Sequence, residues 1–130
     1  MPIRVYVEDT DIGGIVYYAN YLKYMERART ELMRSLGYSK PALFDGLMFV
    51  VHSVELKYLK PALLDDQLSV TAEILKAGKA SFLIQQEVRR GDDILVTGRV
   101  KAACLEFESK QPKAIPAEML QVLRSAVRKN

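Results

Sequence analysis

Apolar and polar residues follow one another along this chain in two different rhythms. From about Tyr18 to Leu36 the apolar positions recur at steps of three and four, so that Tyr21, Met25, Ala28, Leu32 and Leu36 form one stripe. Lys23, Glu26, Arg27, Thr30, Glu31 and Arg34 take the other side, with Arg27 and Glu31 one turn apart. The spacing predicts an amphipathic helix, with Asn20 as its N-cap and Gly37 just past its end, where glycine tolerates the left-handed closing residue.

Elsewhere the period is two. Ile3, Val5 and Val7 alternate with Arg4, Tyr6 and Glu8. After a short segment containing Pro41, the even positions Met48, Val50, Val54, Leu56 and Tyr58 are apolar, while Ser53, Glu55 and Lys57 are not. Leu68, Val70, Ala72 and Ile74 then alternate with Gln67, Ser69, Thr71 and Glu73. Lys76-Ala77-Gly78-Lys79 reads as a hairpin turn into Ala80, Phe82, Ile84 and Val88. Arg90-Gly91-Asp92-Asp93 reads as a second turn, into Ile94, Val96, Gly98, Val100, Ala102 and Cys104. Strict alternation with short turns predicts an antiparallel sheet with one face on a core. Pro116 suits a helix start, and Met119, Leu120, Leu123 and Val127 give a short amphipathic C-terminal helix.

A helix from Tyr18 to Leu36 spans about 28 Å, and strands of about 11 residues span about 35 Å. A twisted sheet of that size can curl around one helix, and its exposed edge favours pairing with a second copy. The expected architecture is α+β: a long central helix wrapped by a five-stranded antiparallel sheet, with a short C-terminal helix, in one domain over residues 1–130.

Composition narrows the chemistry. An apolar fraction of 49% in 130 residues excludes disorder, and no apolar run approaches the roughly 20 residues that span a bilayer. One cysteine, Cys104, and one histidine, His52, exclude a disulfide framework and any metal site built from several such ligands. A net charge of +3 is too mild for a nucleic-acid binder. The start, Met-Pro-Ile-Arg-Val-Tyr-Val, lacks the apolar stretch of a secretory signal. The expectation is a soluble, reduced, cytoplasmic protein without a cofactor.

Chemistry concentrates in the segment from Asp9-Thr10-Asp11 through Gly13-Gly14 to Tyr17-Tyr18-Ala19-Asn20-Tyr21. It is a carboxylate-bearing loop with two glycines that leads straight into the central helix. A helix N-terminus offers unpaired N–H groups and the positive end of a dipole. A carboxylate beside such donors supplies two parts of a hydrolytic site, a base or nucleophile and an oxyanion hole. The same Asp and Gly cluster also suits an ordinary Asx-turn loop. His52 shares the register of Val50, Val54 and Leu56, which predicts the apolar face of its strand, as a core or interface residue or beside a pocket. Cys104 shares the register of Val100 and Ala102 and reads as a small buried hydrophobe. Tyr17, Tyr21 and Tyr24 read as core packing, with Tyr17 also placed to line a pocket.

The run Val5-Tyr6-Val7-Glu8-Asp9-Thr10-Asp11-Ile12-Gly13-Gly14-Ile15-Val16-Tyr17-Tyr18-Ala19-Asn20-Tyr21, continuing into Glu26-Arg27-Ala28-Arg29-Thr30-Glu31, resembles the 4-hydroxybenzoyl-CoA thioesterase group of hot-dog-fold proteins. It is most similar to the branch associated with the Tol-Pal system, and the resemblance extends through Tyr58-Leu59-Lys60-Pro61-Ala62 and Asp65-Asp66. It implies a hot-dog fold and hydrolysis of acyl-CoA, with acyl carrier protein as a further partner. The alternatives are a module that binds acyl-CoA or acyl carrier protein without turnover, and a hot-dog hydratase or dehydratase, which typically works with a histidine that this chain lacks in its helix and loop. It implies a homodimer or homotetramer whose pocket lies between subunits. Asp11 is then the nucleophile or general base, the Tyr18 N–H polarises the thioester carbonyl, and Asp9 structures the loop. Gly13 and Gly14 let the loop approach the acyl group, and Tyr17 and His52 lie near it. Lys76 and Lys79, with Ser81 following, stand where related enzymes hold the nucleotide phosphates, although lysines at a hairpin tip are commonly just solvated. Lys57, Lys60, Arg89 and Arg90 are weaker phosphate candidates. One departure is visible: related sequences of the branch often carry histidine where this chain has Tyr18.

Overall fold

The computed structural model describes residues 1–11, 14–38, 43–44 and 46–127. In chain order it contains β1 (Pro2–Arg4), a 3-10 turn (Val7–Asp9), α1 (Ala19–Ser35), β2 (Leu43–Phe44), β3 (Leu47–Tyr58), β4 (Gln67–Val70), β5 (Glu73–Ala77), β6 (Ser81–Arg90), β7 (Asp93–Glu106) and α2 (Ala117–Ser125). The strands form one antiparallel sheet in the order β1-β4-β6-β7-β3-β2, with β5 also paired to β6. This is the expected α+β hot-dog arrangement of a long helix against an antiparallel sheet.

Among the described residues seven strands stand where five alternating runs are expected, for two reasons. The run from Gln67 to Ala77 breaks at Thr71-Ala72 into β4 and β5, which pair with successive parts of β6. Short β2 adds to the start of β3. The first run is also shorter than its alternation suggests. Val5 is buried, but the chain leaves the sheet after Arg4 and Val7 is 72% exposed.

Helix α1 lies across the inner face of the sheet. Tyr21, Tyr24, Met25 and Ala28 pack against Leu68, Val70, Val88, Leu95 and Val96. Farther along, Met33 joins Ile74, Phe82, Ile84, Cys104 and residues of α2, including Met119 and Leu123. Each such side chain removed from water stabilises the fold by about 1.5–3 kcal/mol. Leu32 and Leu36 of the expected stripe are only half-buried, and Glu31 pairs with Arg34 at 2.8 Å, not with Arg27. Gly37 closes the helix at φ +99° as expected. On the helix side of the sheet, Gly98 lies opposite Gln86 on the neighbouring strand. Gln86 is fully buried, and its amide donates to the Met25 carbonyl at 2.9 Å while its oxygen accepts from Arg29 at 3.0 Å. A buried polar side chain is tolerable only with such partners.

Strand β3 carries the main departure from simple alternation. A bulge between Val51 and Ser53 inserts His52 as an unpaired residue. Before it, Phe49 and Val51 lie opposite Cys104 and Ala102; after it, Val54, Leu56 and Tyr58 lie opposite Val100, Gly98 and Val96. Directly opposed residues share a face. The helix-side positions therefore change from odd to even at His52, so Met48 and Val50 face away from α1. His52 itself is exposed, which corrects its expected place on the apolar face. Cys104 is fully buried as expected, and burial pushes its thiol upward.

Candidate active site

The segment before α1 folds as a narrow ribbon. Thr10 bridges Val16, the Asp11 N–H donates to the Ile15 carbonyl at 3.0 Å, and the Gly14 N–H donates to the Asp11 carbonyl at 3.1 Å. Asp11 thus stands at the turn of the ribbon, exposed to solvent. Gly14 has φ +74°, a conformation that a side chain would strain. Gly13 lies outside the described residues, as do Pro41, Arg128 and Lys129.

A second loop supports the ribbon. Ile15 bridges Leu63, the Val16 N–H donates to the Ala62 carbonyl at 2.9 Å, and the Leu64 N–H donates to the Gly14 carbonyl at 2.9 Å. The Ala62 N–H donates to the Tyr21 hydroxyl oxygen at 2.9 Å, so the buried face of α1 holds this platform. Asp66 accepts from the Leu63 N–H at 2.8 Å and from Arg90 at 2.8 Å. Burial raises the Asp66 carboxyl, but these two donors outweigh it and hold the group below its ordinary value.

Asp9 has the loop-structuring geometry expected of it. Its carboxylate accepts from the Tyr6 N–H at 3.0 Å, closing the 3-10 turn. Its carbonyl accepts from the Tyr17 N–H and from the Asn20 side-chain amide, both at 2.9 Å. Burial first, and then the Asp9 carboxylate, push the Tyr24 phenol well above its usual value.

Tyr18, not Asn20, caps α1, and it does so without a side-chain bond. The Asn20 N–H donates to the Tyr17 carbonyl at 2.8 Å and the Tyr21 N–H to the Tyr18 carbonyl at 3.3 Å. Among the described residues the N–H groups of Tyr18 and Ala19 have no acceptor. Open donors of this kind are what a developing oxyanion requires. The Tyr18 side chain is 61% exposed, with its ring centroid 4.8 Å from that of Tyr17 and 6.4 Å from that of Tyr58. The neighbouring Tyr18 hydroxyl raises the Tyr17 phenol. Sequence reasoning missed Tyr58 in this group, because only folding brings the end of β3 to the start of α1.

Other candidates stand elsewhere. Lys76 and Lys79 are exposed on the β5–β6 hairpin, whose turn is closed by the Gly78 N–H donating to Ser81 at 2.7 Å. That hairpin belongs with Met33 and α2, toward the C-terminal end of α1, whereas Asp11 precedes the N-terminal end. With α1 about 25 Å long, one protomer does not bring these lysines to Asp11. Lys60, Arg89 and Arg90 are engaged with Asp93, Glu87 and Asp66. His52 is the exposed, unpaired residue at the β3 bulge.

A model of the thioesterase superfamily matches residues 13–97. This chain belongs to that superfamily. The acyl-CoA thioesterase YbgC of Haemophilus influenzae is 41% identical over 120 residues, which cover 91% of this chain and 88% of that protein. The acyl-CoA thioester hydrolase YbgC of Escherichia coli O6:H1 is 36% identical over 121 residues, covering 92% and 90%. A crystal structure of a probable thioesterase from Bartonella henselae superposes with a TM-score of 0.78 at 36% identity, covering 89% of this chain and 96% of that one. Asp11 stands two residues before the superfamily match begins.

Proposed function

We propose that this chain hydrolyses the thioester of acyl-CoA to a free acid and CoA, with Asp11 and the N-terminus of α1 as its working parts. The observation that carries this reading is the ribbon that joins the exposed Asp11 carboxylate to the open N–H groups of Tyr18 and Ala19. The thioester carbonyl accepts from the Tyr18 N–H, which polarises it. Asp11 then acts in one of two ways. As general base it takes a proton from water while the water oxygen bonds to the carbonyl carbon. As nucleophile its own oxygen bonds to that carbon, giving an anhydride that water later opens. In both, negative charge grows on the carbonyl oxygen, the helix N-terminus stabilises it, and the C–S bond breaks to release a thiolate. A thiolate is a stable leaving group, so the site needs no strong general acid and no histidine. Appearance of ¹⁸O from labelled water in the Asp11 side chain after a single turnover identifies the anhydride route.

The same reading makes the active unit a homodimer, or a homotetramer of such dimers. Beyond its short pairing with β2, the outer edge of β3 has no partner strand among the described residues. Val51, Val54 and Tyr58 lie on the helix side of the sheet yet remain 48%, 41% and 48% exposed. A second copy pairing along β3 covers both. It also gives Lys76 and Lys79 a route to the CoA phosphates, because a lysine hairpin that serves no Asp11 in its own protomer can serve the partner's substrate. Gly13 and Gly14 admit the acyl group, Tyr17 lines its entrance, and an acyl carrier protein is a second donor of the acyl group. Among the described residues no helix is long and apolar enough to cross a membrane, and we place the enzyme in the cytoplasm with its substrate.

The test is a panel of acyl-CoAs with straight-chain and aromatic acyl groups, followed by release of free thiol. Turnover of at least one member is expected. Tight binding of acyl-CoA with no thiol release would instead mark a binding module and contradict this reading.

A further inference from the structure

We infer that Asn20 is a positioning residue of the hydrolytic site, its side chain fixing the relation between Asp11 and the Tyr18 N–H. The inference rests on the reading of Asp11 and Tyr18 given above. Asn20 is neither the cap of α1 nor part of its buried stripe, and asparagine is a poor helix former inside a first turn. It makes two hydrogen bonds, of which the one from its side chain requires asparagine.

The first is made by its backbone. The Asn20 N–H donates to the Tyr17 carbonyl at 2.8 Å. That carbonyl and the Tyr18 N–H belong to one planar peptide unit, so fixing the oxygen fixes the direction of the N–H on the other side. The second is made by its side chain, which donates to the Asp9 carbonyl at 2.9 Å in a partly buried setting. Asp9 stands two residues before Asp11 on the same arm of the ribbon, and its carbonyl also receives the Tyr17 N–H at 2.9 Å. One residue therefore holds the peptide that donates to the oxyanion and the strand that delivers the carboxylate. A shift of about 1 Å between such groups can cost about 10²-fold in rate.

Two variants separate this role from simple packing. Asn20→Ala removes the side-chain donor and leaves the backbone bond, while alanine favours the helix. Asn20→Asp keeps the size and shape of asparagine but turns an acceptor toward the Asp9 carbonyl. With an acyl-CoA that the wild type cleaves, both variants are expected to lose about 10- to 100-fold in kcat with KM changed less than about twofold. Native-state hydrogen exchange is expected to show faster exchange at the Tyr17 amide in both. If Asn20→Ala folds poorly, Asn20→Asp and the Tyr17 amide carry the decision. Wild-type kcat in Asn20→Asp, or a loss confined to KM, overturns the inference and leaves the Asp11 reading standing. Absence of hydrolysis by the wild type overturns the Asp11 reading itself.

Discussion

Gly98 shows how one residue sets the approach of helix to sheet. A Cβ at this position would come within 2.5 Å of the Met25 Cε and 2.7 Å of the Leu56 Cδ2. Both are ends of flexible side chains, so they move aside, but each leaves a well-packed position. Gly98→Ala is expected to destabilise the protein by about 1–3 kcal/mol, read as a lower midpoint in urea with an unchanged slope. A midpoint equal to the wild type's would show that the helix can ride higher at no cost. From sequence, Gly98 is only an interruption in an alternating run, since nothing nearby in the chain names Met25 or Leu56 as its neighbours. Cys104 was legible because β7 keeps strict alternation from Val100 through Cys104. His52 was not, because a single unpaired residue reverses the parity on which its placement depends. Asp9 and Asp11 could be told apart only by resemblance; their different hydrogen bonding is a property of the folded ribbon.

At the scale of elements, α1 and the long strands follow from periodicity, and their ends do not. The helix stripe was readable because 3.6-residue spacing is a local property. Its cap was not, because Asn20 has the chemistry of a cap but spends its side chain on the Asp9 carbonyl. The 61–66 platform was also hidden. It has no period, and it is held by pairs distant in sequence, such as Asp66 with Arg90 and Ala62 with Tyr21. This platform carries a pH dependence. The Asp66 carboxyl titrates lower in the folded chain than in the unfolded one, so its contribution is complete above the ordinary value of 3.8 and is lost as pH falls through the lower folded value. Asp66→Asn is expected to lower Tm at neutral pH and to flatten the fall in Tm across that acid window. An unchanged acid limb in Asp66→Asn would mean that other carboxylates set it.

At the scale of the whole molecule, the protomer leaves an apolar strip of β3 uncovered and packs its lysine hairpin with Met33 and α2, whereas Asp11 precedes the other end of α1. Both facts point to function in pairs. Val54→Asp puts a charge on that strip without touching the Asp11 ribbon. If the wild type sediments as the proposed dimer, Val54→Asp is expected to sediment as a monomer and to lose at least about 10-fold in thiol release, because an unpaired charge is costly to bury in an apolar interface. A fully active Val54→Asp monomer would show that one protomer holds a complete site. The scarcity of histidine and cysteine fits this picture, since a carboxylate and a helix terminus need neither. Asp11 is then the residue on which everything turns, and the most direct measurement is the rate of thiol release by Asp11→Asn against the wild type on the best acyl-CoA of the panel. A loss of about 10²-fold or more in kcat, with the fold and Tm retained, is the expected result. A rate equal to the wild type's would contradict the assignment of the chemistry to Asp11.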